Sequence, residues 1–250
     1  MEDFQGKKAV ISGATRGIGK AIAMAFLEAG ATVIGIYNTK SDAAELFSRE
    51  WKANLSFQDG RLLLFPCDIS DETAVLKLFA MIEDQFDTID ILINNAGIRR
   101  DAVLAMMQSQ DWHRVIDVNL TGTFYMSKQA VLLMMKQKYG RIIHIVSPMA
   151  HLGFAGQANY AASKAGQIGM MRSLAKETAK RGITVNCISP GFIDTELLDG
   201  LTPDQMATYK KMVPMKRFGK PEEVAAAVLF LAGKDASYIS GAVLEVAGGL

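Results

Sequence analysis

The chain has 250 residues, of which 50% are hydrophobic and 21% are charged, and its formal net charge is +1 at pH 7. This length and composition fit one globular domain of the larger α/β kind and exclude a disordered chain. The near-neutral charge argues against nucleic acid or a membrane surface as a partner. No apolar run approaches the roughly 18 residues of a spanning helix, and the charged start gives no sign of a signal peptide.

The cysteines and histidines also limit the possible classes. Cys67 and Cys187 each lie beside an apolar, strand-like run, and two such residues do not indicate a disulfide framework. A reducing, cytoplasmic setting is therefore favoured. The three histidines are scattered and the chain has no Cys-x-x-Cys, so the spacing predicts no metal site.

Short β-branched runs alternate with amphipathic helical stretches along nearly the whole chain. The predicted strands are Lys8–Ser12, Thr32–Tyr37, Arg61–Pro66, Ile89–Asn94, Arg141–Val146, Thr184–Ser189 and Ala242–Val246. The predicted helices are Gly17–Ala29, Asp42–Lys52, Glu72–Phe86, Asp111–Gln137, Ala158–Lys180 and one that begins at Pro221. Strands separated by crossover helices predict a parallel sheet covered on both faces. The expected fold is α/β, a single doubly wound (Rossmann) domain over residues 1–250 with a parallel sheet of about seven strands.

A glycine-rich turn connects the first strand to the first helix. A dinucleotide-binding fold places its pyrophosphate there, against backbone N–H groups and the positive end of the helix dipole. The spacing is Gly-x-x-x-Gly-x-Gly rather than the commoner Gly-x-Gly-x-x-Gly, and a tight connection without a ligand is the alternative. Because strand, turn and helix fall in register, the sequence favours a cofactor site. The expected contacts are Gly13, Thr15, Arg16, Gly17, Ile18 and Gly19.

The end of the second strand indicates which dinucleotide binds. NAD-binding versions of the fold place an acid there for the ribose 2′-hydroxyl, whereas this chain has Tyr37-Asn38-Thr39-Lys40. Arg16 and Lys40 could instead meet a 2′-phosphate, unless both are ordinary surface bases. The sequence favours NADPH, with Asn38, Thr39 and Lys40 among its contacts.

Tyr160 and Lys164 form a candidate catalytic pair. Residues four apart on a helix lie on one face, and a cation one turn away favours the ionised form of a phenol, whose ordinary pKa is about 10. Tyr160 could then transfer protons near neutral pH. Ser147 follows a strand-like run and can supply a hydroxyl to the same place. Alone, such a pair is more typical of a solvated helix face.

In combination, these residues resemble the short-chain dehydrogenase/reductase family over essentially the whole chain. The matching elements are Gly13-x-x-x-Gly17-x-Gly19, Asn94-Asn95-Ala96-Gly97, Asn119, Ser147, Tyr160-x-x-x-Lys164 and Pro190-Gly191. Within that family the chain is most similar to bacterial 3-oxoacyl-[acyl-carrier-protein] reductases, although relatives that reduce acetoacetyl-CoA share the same runs. It departs from them at Pro148, where another small residue is usual, and at Arg99, where threonine is usual.

The resemblance implies a role for each catalytic residue. Tyr160 is the expected general acid, and Ser147 is expected to polarise the substrate carbonyl. Lys164 is expected to bind the nicotinamide ribose and, with the oxidised ring, to lower the pKa of Tyr160. Asn119 is expected at a local helix distortion that holds a water in a proton relay. A solvent-facing asparagine is the alternative.

The resemblance also implies the remaining cofactor contacts. Asn95, Ala96 and Gly97 are expected along the adenosine side. Asp68, followed by Ile69, is expected to accept a hydrogen bond from the adenine amino group, and a turn-forming aspartate is the alternative. Beside the nicotinamide we expect Pro190, Gly191, Ile193 and Thr195.

A substrate lid is expected at about residues 194–221, which combine apolar and basic side chains. The apolar set is Leu197, Leu198, Leu201, Met206, Met212, Val213 and Met215, and the bases are Lys210, Lys211, Lys216, Arg217 and Lys220. Bases at the entrance would steer an acidic acyl carrier protein. Lys138 and Arg181 fall where related reductases present bases to that carrier, although both could be ordinary surface charges. A homotetramer built on the two longest helices and the last strand is also implied.

Three functions remain in competition. The first is NADPH-dependent reduction of a 3-oxoacyl thioester on acyl carrier protein, in fatty-acid or polyketide-type synthesis. The second is an alcohol, polyol or acetoacetyl-CoA dehydrogenase of the same fold. The third is a non-catalytic dinucleotide sensor. It is disfavoured because such a protein does not require Ser147, Tyr160 and Lys164 together.

Overall fold

The fold was obtained as a computed structural model that describes residues 3–38, 41–53, 60–196, 200 and 202–250. Within these residues, seven parallel strands form one sheet in the order β3-β2-β1-β4-β5-β6-β7. The strands are β1 Lys8–Ser12, β2 Thr32–Tyr37, β3 Leu62–Pro66, β4 Ile91–Asn94, β5 Gly140–Ile145, β6 Ile183–Pro190 and β7 Val243–Val246. The predicted doubly wound α/β fold is confirmed.

The helices agree with the predictions except at three places. They are α1 Gly17–Glu28, α2 Ser41–Ala53, α3 Glu72–Phe86, α4 Ser109–Ile116, α5 Gly122–Gln137, α6 Met149–Leu152, α7 Ala158–Thr178, α8 Pro203–Met212 and α9 Pro221–Ala232. Helices α6 and α8 were not predicted, and the predicted helix Asp111–Gln137 is divided. Among the described helices, none combines the length and apolar character needed to cross a bilayer.

The sheet separates two apolar cores, because successive side chains of a strand point to opposite faces. On β1, Ala9 and Ile11 pack into the core beneath α1 and α9, whereas Val10 packs into the core beneath α3, α5 and α7. A sheet covered on both faces requires strands that are apolar at consecutive positions. This explains why the strands read as continuous apolar runs in the sequence.

The strand order places a crevice at the carboxyl ends of β1 and β4. β1 pairs with β2 on one side and with β4 on the other, so the chain winds outward in both directions from this point. Ligands of open α/β sheets bind in the crevice at such a switch point. The glycine-rich turn follows β1 directly, and Asn95 follows β4.

The division between α4 and α5 is a π-helical segment, Asp117–Thr121, with Asn119 at its centre. A π turn inserts a residue into a helix and redirects the backbone carbonyls around it. The local helix distortion that the resemblance implied at Asn119 is therefore found. Asn119 is fully buried, which contradicts the solvent-facing alternative.

Candidate active site

A cleft of about 660 Å³ opens at the carboxyl ends of the strands. Every described residue that we expected to contact the cofactor lines it. They are Gly13, Thr15, Arg16, Gly17, Ile18, Gly19, Asn38, Asp68, Ile69, Asn95, Ala96, Gly97, Tyr160, Lys164, Pro190, Gly191, Ile193 and Thr195. Ser147 lines the same cleft. Thr39 and Lys40 lie outside the described residues, and Asn119 lies behind the cleft wall.

The glycine turn is held against the end of β4 by two side chains. The Ser12 Oγ accepts hydrogen bonds from the backbone N–H groups of Asn95 and Ala96, both at 3.0 Å. The Asn95 side-chain amide in turn donates to the carbonyls of Ser12 and Gly13, at 3.0 and 3.1 Å. Asn95 therefore braces the turn, a role that we did not predict for it.

The geometry of the turn fits the pyrophosphate of a dinucleotide. Gly13 and Gly17 have φ angles of 67° and 51°, which favour glycine. Arg16 is the extended N-cap of α1, and its side chain makes no capping hydrogen bond. The N–H groups of the first turn and the positive end of the helix dipole thus face the cleft.

Asp68 and Arg114 form the far end of the cleft. Asp68 Oδ1 accepts hydrogen bonds from the N–H and hydroxyl of Ser70, at 3.0 and 2.6 Å, and Oδ2 accepts one from Arg114 Nη2 at 3.0 Å. Partial burial alone would raise the pKa of Asp68, but the hydrogen bonds from Ser70 and the charge of Arg114 hold it below its ordinary value. Asp68 thus forms a turn with Ser70 and also lines the cleft, and its contact with adenine stays a prediction. Arg114 was missed by the sequence analysis.

Ser147 and Tyr160 lie together at the opposite end of the cleft. Pro148, which follows Ser147, is helical and opens the short helix α6, and the Ser147 Oγ accepts a hydrogen bond from Met149 N at 3.3 Å. Burial raises the pKa of the Tyr160 phenol, while the neighbouring Ser147 hydroxyl and the charge of Arg99 oppose part of that rise. The expected lowering of the Tyr160 pKa is therefore not found in the protein alone, because burial outweighs the Ser147 hydrogen bond and the Arg99 charge.

Lys164 is fully enclosed beneath Tyr160. Its Nζ lies 5.8 Å from the centroid of the Tyr160 ring and donates a hydrogen bond to Ile145 O at 2.7 Å. Burial lowers the pKa of Lys164 from its ordinary 10.5 to about 8. A Cβ built on Gly97 would lie 3.5 Å from this Nζ, so the glycine keeps the space beside the ammonium clear.

Asn119 connects the π-helical segment to the loop after β4. Its Oδ1 accepts from Ile98 N at 2.8 Å, and its Nδ2 donates to Ile98 O at 3.0 Å and to Ser163 Oγ at 3.1 Å. The Asn119 side chain thus fixes the cleft wall and the helix that carries Tyr160 and Lys164. Its direct contacts are structural.

The expected lid contains a helix that packs over the cleft. On α8, the Tyr209 ring stacks on Phe192 with centroids 5.0 Å apart, and it meets Phe154 edge-on at 6.1 Å. Backbone hydrogen bonds from Asp194 N to Gly219 O and from Gly219 N to Phe192 O join the two ends of the lid. The predicted apolar lid residues Leu197, Leu198 and Leu201 lie outside the described residues.

The lid bases differ in how far they are neutralised. Arg217 forms a two-pronged ion pair with Glu223, at 2.7 and 2.6 Å. Lys210 instead lies over the Phe218 ring, with its Nζ 5.3 Å from the centroid. Lys210 therefore keeps a free charge for a ligand more readily than Arg217.

Lys138 and Arg181, the predicted carrier-docking pair, lie together on the surface but away from the cleft. Both are exposed, and each precedes a strand, with Gly140 of β5 opposite Ile183 of β6. They therefore lie at the amino ends of the strands, whereas the cleft is at the carboxyl ends. A strand of six residues separates the two edges by about 20 Å.

Comparison with known proteins shows which family has this arrangement. The profile of a family described as enoyl-(acyl carrier protein) reductase matches residues 13–250. The chain belongs to the short-chain dehydrogenase/reductase family. It shares the fold of that family, and it is an oxidoreductase of the kind that acts on CH–OH and C=O groups.

Within the family, the chain is similar to several enzymes named 3-oxoacyl-[acyl-carrier-protein] reductase FabG. It is 44% identical over 249 residues to that of Vibrio harveyi and 44% identical over 248 residues to that of Escherichia coli, covering 99% of this chain and 98% of each relative. The Aquifex aeolicus enzyme is 43% identical over 247 residues, with the same coverage.

A solved structure of the family has the same fold. It is a proposed gluconate dehydrogenase from Agrobacterium tumefaciens, 32% identical, with a TM-score of 0.93. The alignment covers 99% of this chain and 96% of that one. The family fold is therefore kept across proteins with different named substrates.

Proposed function

We propose that this protein reduces a 3-oxoacyl thioester, carried on acyl carrier protein, to the 3-hydroxyacyl thioester in fatty-acid or polyketide-type synthesis. The observation that supports this substrate most directly is 44% identity along nearly the whole chain to enzymes named for it. Ser147 and Tyr160, which meet in the cleft, are suited to reducing a ketone.

The chain's own residues would bind the ketone and deliver a proton. NADPH, when bound, supplies the hydride for C3 of the substrate. Tyr160 donates its phenolic proton to the ketone oxygen, and the Ser147 hydroxyl donates a hydrogen bond to the same atom as negative charge develops on it. Lys164 holds the ribose and favours the return of a proton to Tyr160. Burial under α8 keeps water away from the reacting carbonyl.

NADPH is the cofactor that the charges of the cleft support. Arg16 and Asn38 lie at the glycine turn and the end of β2, and the residue directly after β2 is Asn38 rather than an acid for the ribose 2′-hydroxyl. A guanidinium near that position favours a 2′-phosphate by a charge-assisted hydrogen bond. The homologous reductases support a nicotinamide dinucleotide in general.

The purified protein should oxidise NADPH when it is mixed with an acetoacetyl thioester, with kcat/KM at least tenfold higher than with NADH. Arg16→Ala should reduce kcat/KM for NADPH about tenfold and leave that for NADH nearly unchanged, because a charge-assisted hydrogen bond contributes about 1.5–3 kcal/mol. The measurement is loss of absorbance at 340 nm. Equal efficiency with both nucleotides would show that the cofactor assignment is wrong.

The same assay separates the competing functions. The solved gluconate dehydrogenase relative favours a polyol substrate, and the family description favours reduction of an enoyl double bond. We expect no NADPH loss with a 2-enoyl thioester and no NADP⁺ or NAD⁺ reduction with gluconate. Activity on either, without activity on 3-oxoacyl thioesters, would replace the proposed function.

Lys138 and Arg181 are proposed as a docking surface for the acidic carrier. Because the pair lies at the amino ends of the strands, a carrier docked there would serve the cleft of a neighbouring subunit. Exposed apolar side chains on α5, Phe124, Leu132 and Met135, support the homotetramer that this requires. The cytoplasm is the proposed location, as for the reductases that the chain resembles.

Lys138→Glu with Arg181→Glu should raise the KM for a carrier-bound 3-oxoacyl substrate about tenfold and leave a small thioester nearly unaffected. Charge complementarity acts only on the partner that carries the opposite charge. Steady-state kinetics on both substrates gives the measurement, with Lys52→Glu, an exposed base on α2, as the control. An equal loss on both substrates would contradict docking at this surface.

A further inference from the structure

Gln167 lies one turn after Lys164 on α7 and is fully buried. Its side-chain Oε1 accepts a hydrogen bond from Lys164 Nζ at 3.3 Å. Its Nε2 donates to the backbone carbonyl of Asn119 and, at 2.8 Å, to Thr123 Oγ1. One side-chain amide therefore connects the candidate catalytic lysine to the π-helical segment.

The carbonyl of Asn119 has little capacity left for another partner on this side. It accepts from Gln167 Nε2 and also from Thr123 Oγ1, the latter at 2.7 Å. A carbonyl oxygen has two lone pairs, and two side-chain donors use both of them. The Gln167 amide is therefore held at both ends, by the lysine and by the π-helical segment.

Gln167 also determines how many N–H donors of Lys164 remain for the cofactor. An ammonium group carries three donors, and Lys164 directs one to Ile145 O and one to Gln167 Oε1. One donor remains for the cleft, on the side that Gly97 keeps clear. An acceptor held at a fixed place thus orients the remaining N–H toward the ribose site.

We propose that Gln167 is a positioning residue, which is anchored on the π-helical segment and orients the Lys164 ammonium toward the cofactor ribose. This inference deepens the proposed function and rests on it for the role of Lys164 in turnover. Because Gln167 does not reach the cleft, it acts only through Lys164 and the π-helical segment.

The other groups around Lys164 do not account for its charge. His144 on β5 stays neutral near neutral pH, because burial and then the Lys164 charge lower its pKa to about 3. Cys187 on β6 stays protonated, because burial raises its pKa to about 12 against the opposing effect of Lys164. On α7 itself, burial raises the pKa of Tyr160. Asn119 of the π-helical segment and Thr123 of α5 contact Gln167 and do not titrate. Burial lowers the pKa of Lys164, and Cys187 opposes part of that fall, while Gln167 Oε1 is a neutral side-chain acceptor that the ammonium contacts directly.

Gln167→Leu and Gln167→Glu should move the pH dependence of nucleotide binding and turnover in opposite directions. Activity falls as pH rises through the pKa of Lys164, because the ammonium loses its proton. Leucine removes the acceptor, so this alkaline limb should move to lower pH by about one unit, with kcat reduced about fivefold at pH 8. Glutamate places a negative charge beside the ammonium and should move the limb to higher pH.

Two readouts keep this inference separate from the proposed function. NADPH affinity, measured by nucleotide fluorescence from pH 6 to 10, needs no substrate and should show the same opposite shifts. Thr178→Val is the control, since Thr178 is buried on the same helix but donates only to Leu174 O and Ile183 O. This variant should lower the melting temperature without shifting the alkaline limb of NADPH affinity or of turnover. If the alkaline limb of the pH profile does not shift in one of the two Gln167 variants, the inference is overturned, even if that variant is less stable.

Discussion

Replacing Tyr160 with phenylalanine should reduce turnover of a 3-oxoacyl thioester by about 10²–10⁴-fold, the range that a positioned general acid contributes. The phenyl ring keeps the packing of the half-buried tyrosine but has no proton to give to the ketone oxygen. Ser147 would still bind that oxygen, so residual activity above background is expected. NADPH affinity should change by less than about threefold, because Lys164 and the glycine turn remain in place.

Steady-state kinetics and nucleotide fluorescence test the two parts of this result. Tyr139→Phe is the matched control, because its ring lies between Lys7 and Arg141 at the amino edge of the sheet, away from the cleft. It should leave kcat unchanged. Turnover by Tyr160→Phe within tenfold of the unmodified protein would remove Tyr160 from the catalytic role.

Replacing Gly19 with alanine should destabilise the protein by about 1–3 kcal/mol and weaken NADPH binding at least tenfold. A Cβ at this position would overlap the Gly13 carbonyl oxygen and lie 2.5 Å from Asn95 Nδ2. These atoms belong to backbone and to a braced amide, so the turn itself must shift to make room, at the cost typical of overpacking. A shifted turn no longer presents its N–H groups to the pyrophosphate.

Urea unfolding and nucleotide titration measure this effect. Gly169→Ala on α7 is the control, because a Cβ there meets nothing within 4 Å and adds only helix propensity. It should stabilise the protein by about 1 kcal/mol without changing NADPH affinity. Size-exclusion chromatography would check that this exposed position does not alter assembly. Similar behaviour of the two variants would show that the tight approach of α1 to the turn is not required.

The sheet was predictable because its signal is local and repeated. Each strand before the last is a short apolar run followed by a helix, and this pattern predicts a parallel sheet. The break at Asp117–Thr121 has no such signal, since the apolar periodicity continues through it. Only the family resemblance pointed to a distortion at Asn119. The helix α8 was missed although its start was visible, since Thr202 and Gln205 form a capping box around Pro203.

The residues of the candidate site were predictable where their type and spacing are typical of one function. They were less predictable where the residue type is common on any helix surface. The glycine turn and the Tyr160–Lys164 pair limit the chemistry strongly. A glutamine on a helix, such as Gln167, is usually solvent-facing, and only the packing of α7 against the π-helical segment buries it. The position of Lys138 and Arg181 could have been deduced, since residues that precede parallel strands lie at the edge opposite to those that follow them.

The contact between Ser12 and Asn95 has a consequence for how the protein is made. These residues are 83 positions apart in the chain, yet they hold the glycine turn in shape. Pro190 and Thr195, which close the other side of the cleft, emerge from the ribosome about a hundred residues later still. Parallel pairing between such distant segments is slow, because the loop entropy is lost before the contacts form. A nascent chain therefore has no nucleotide pocket until three quarters of it has been synthesised.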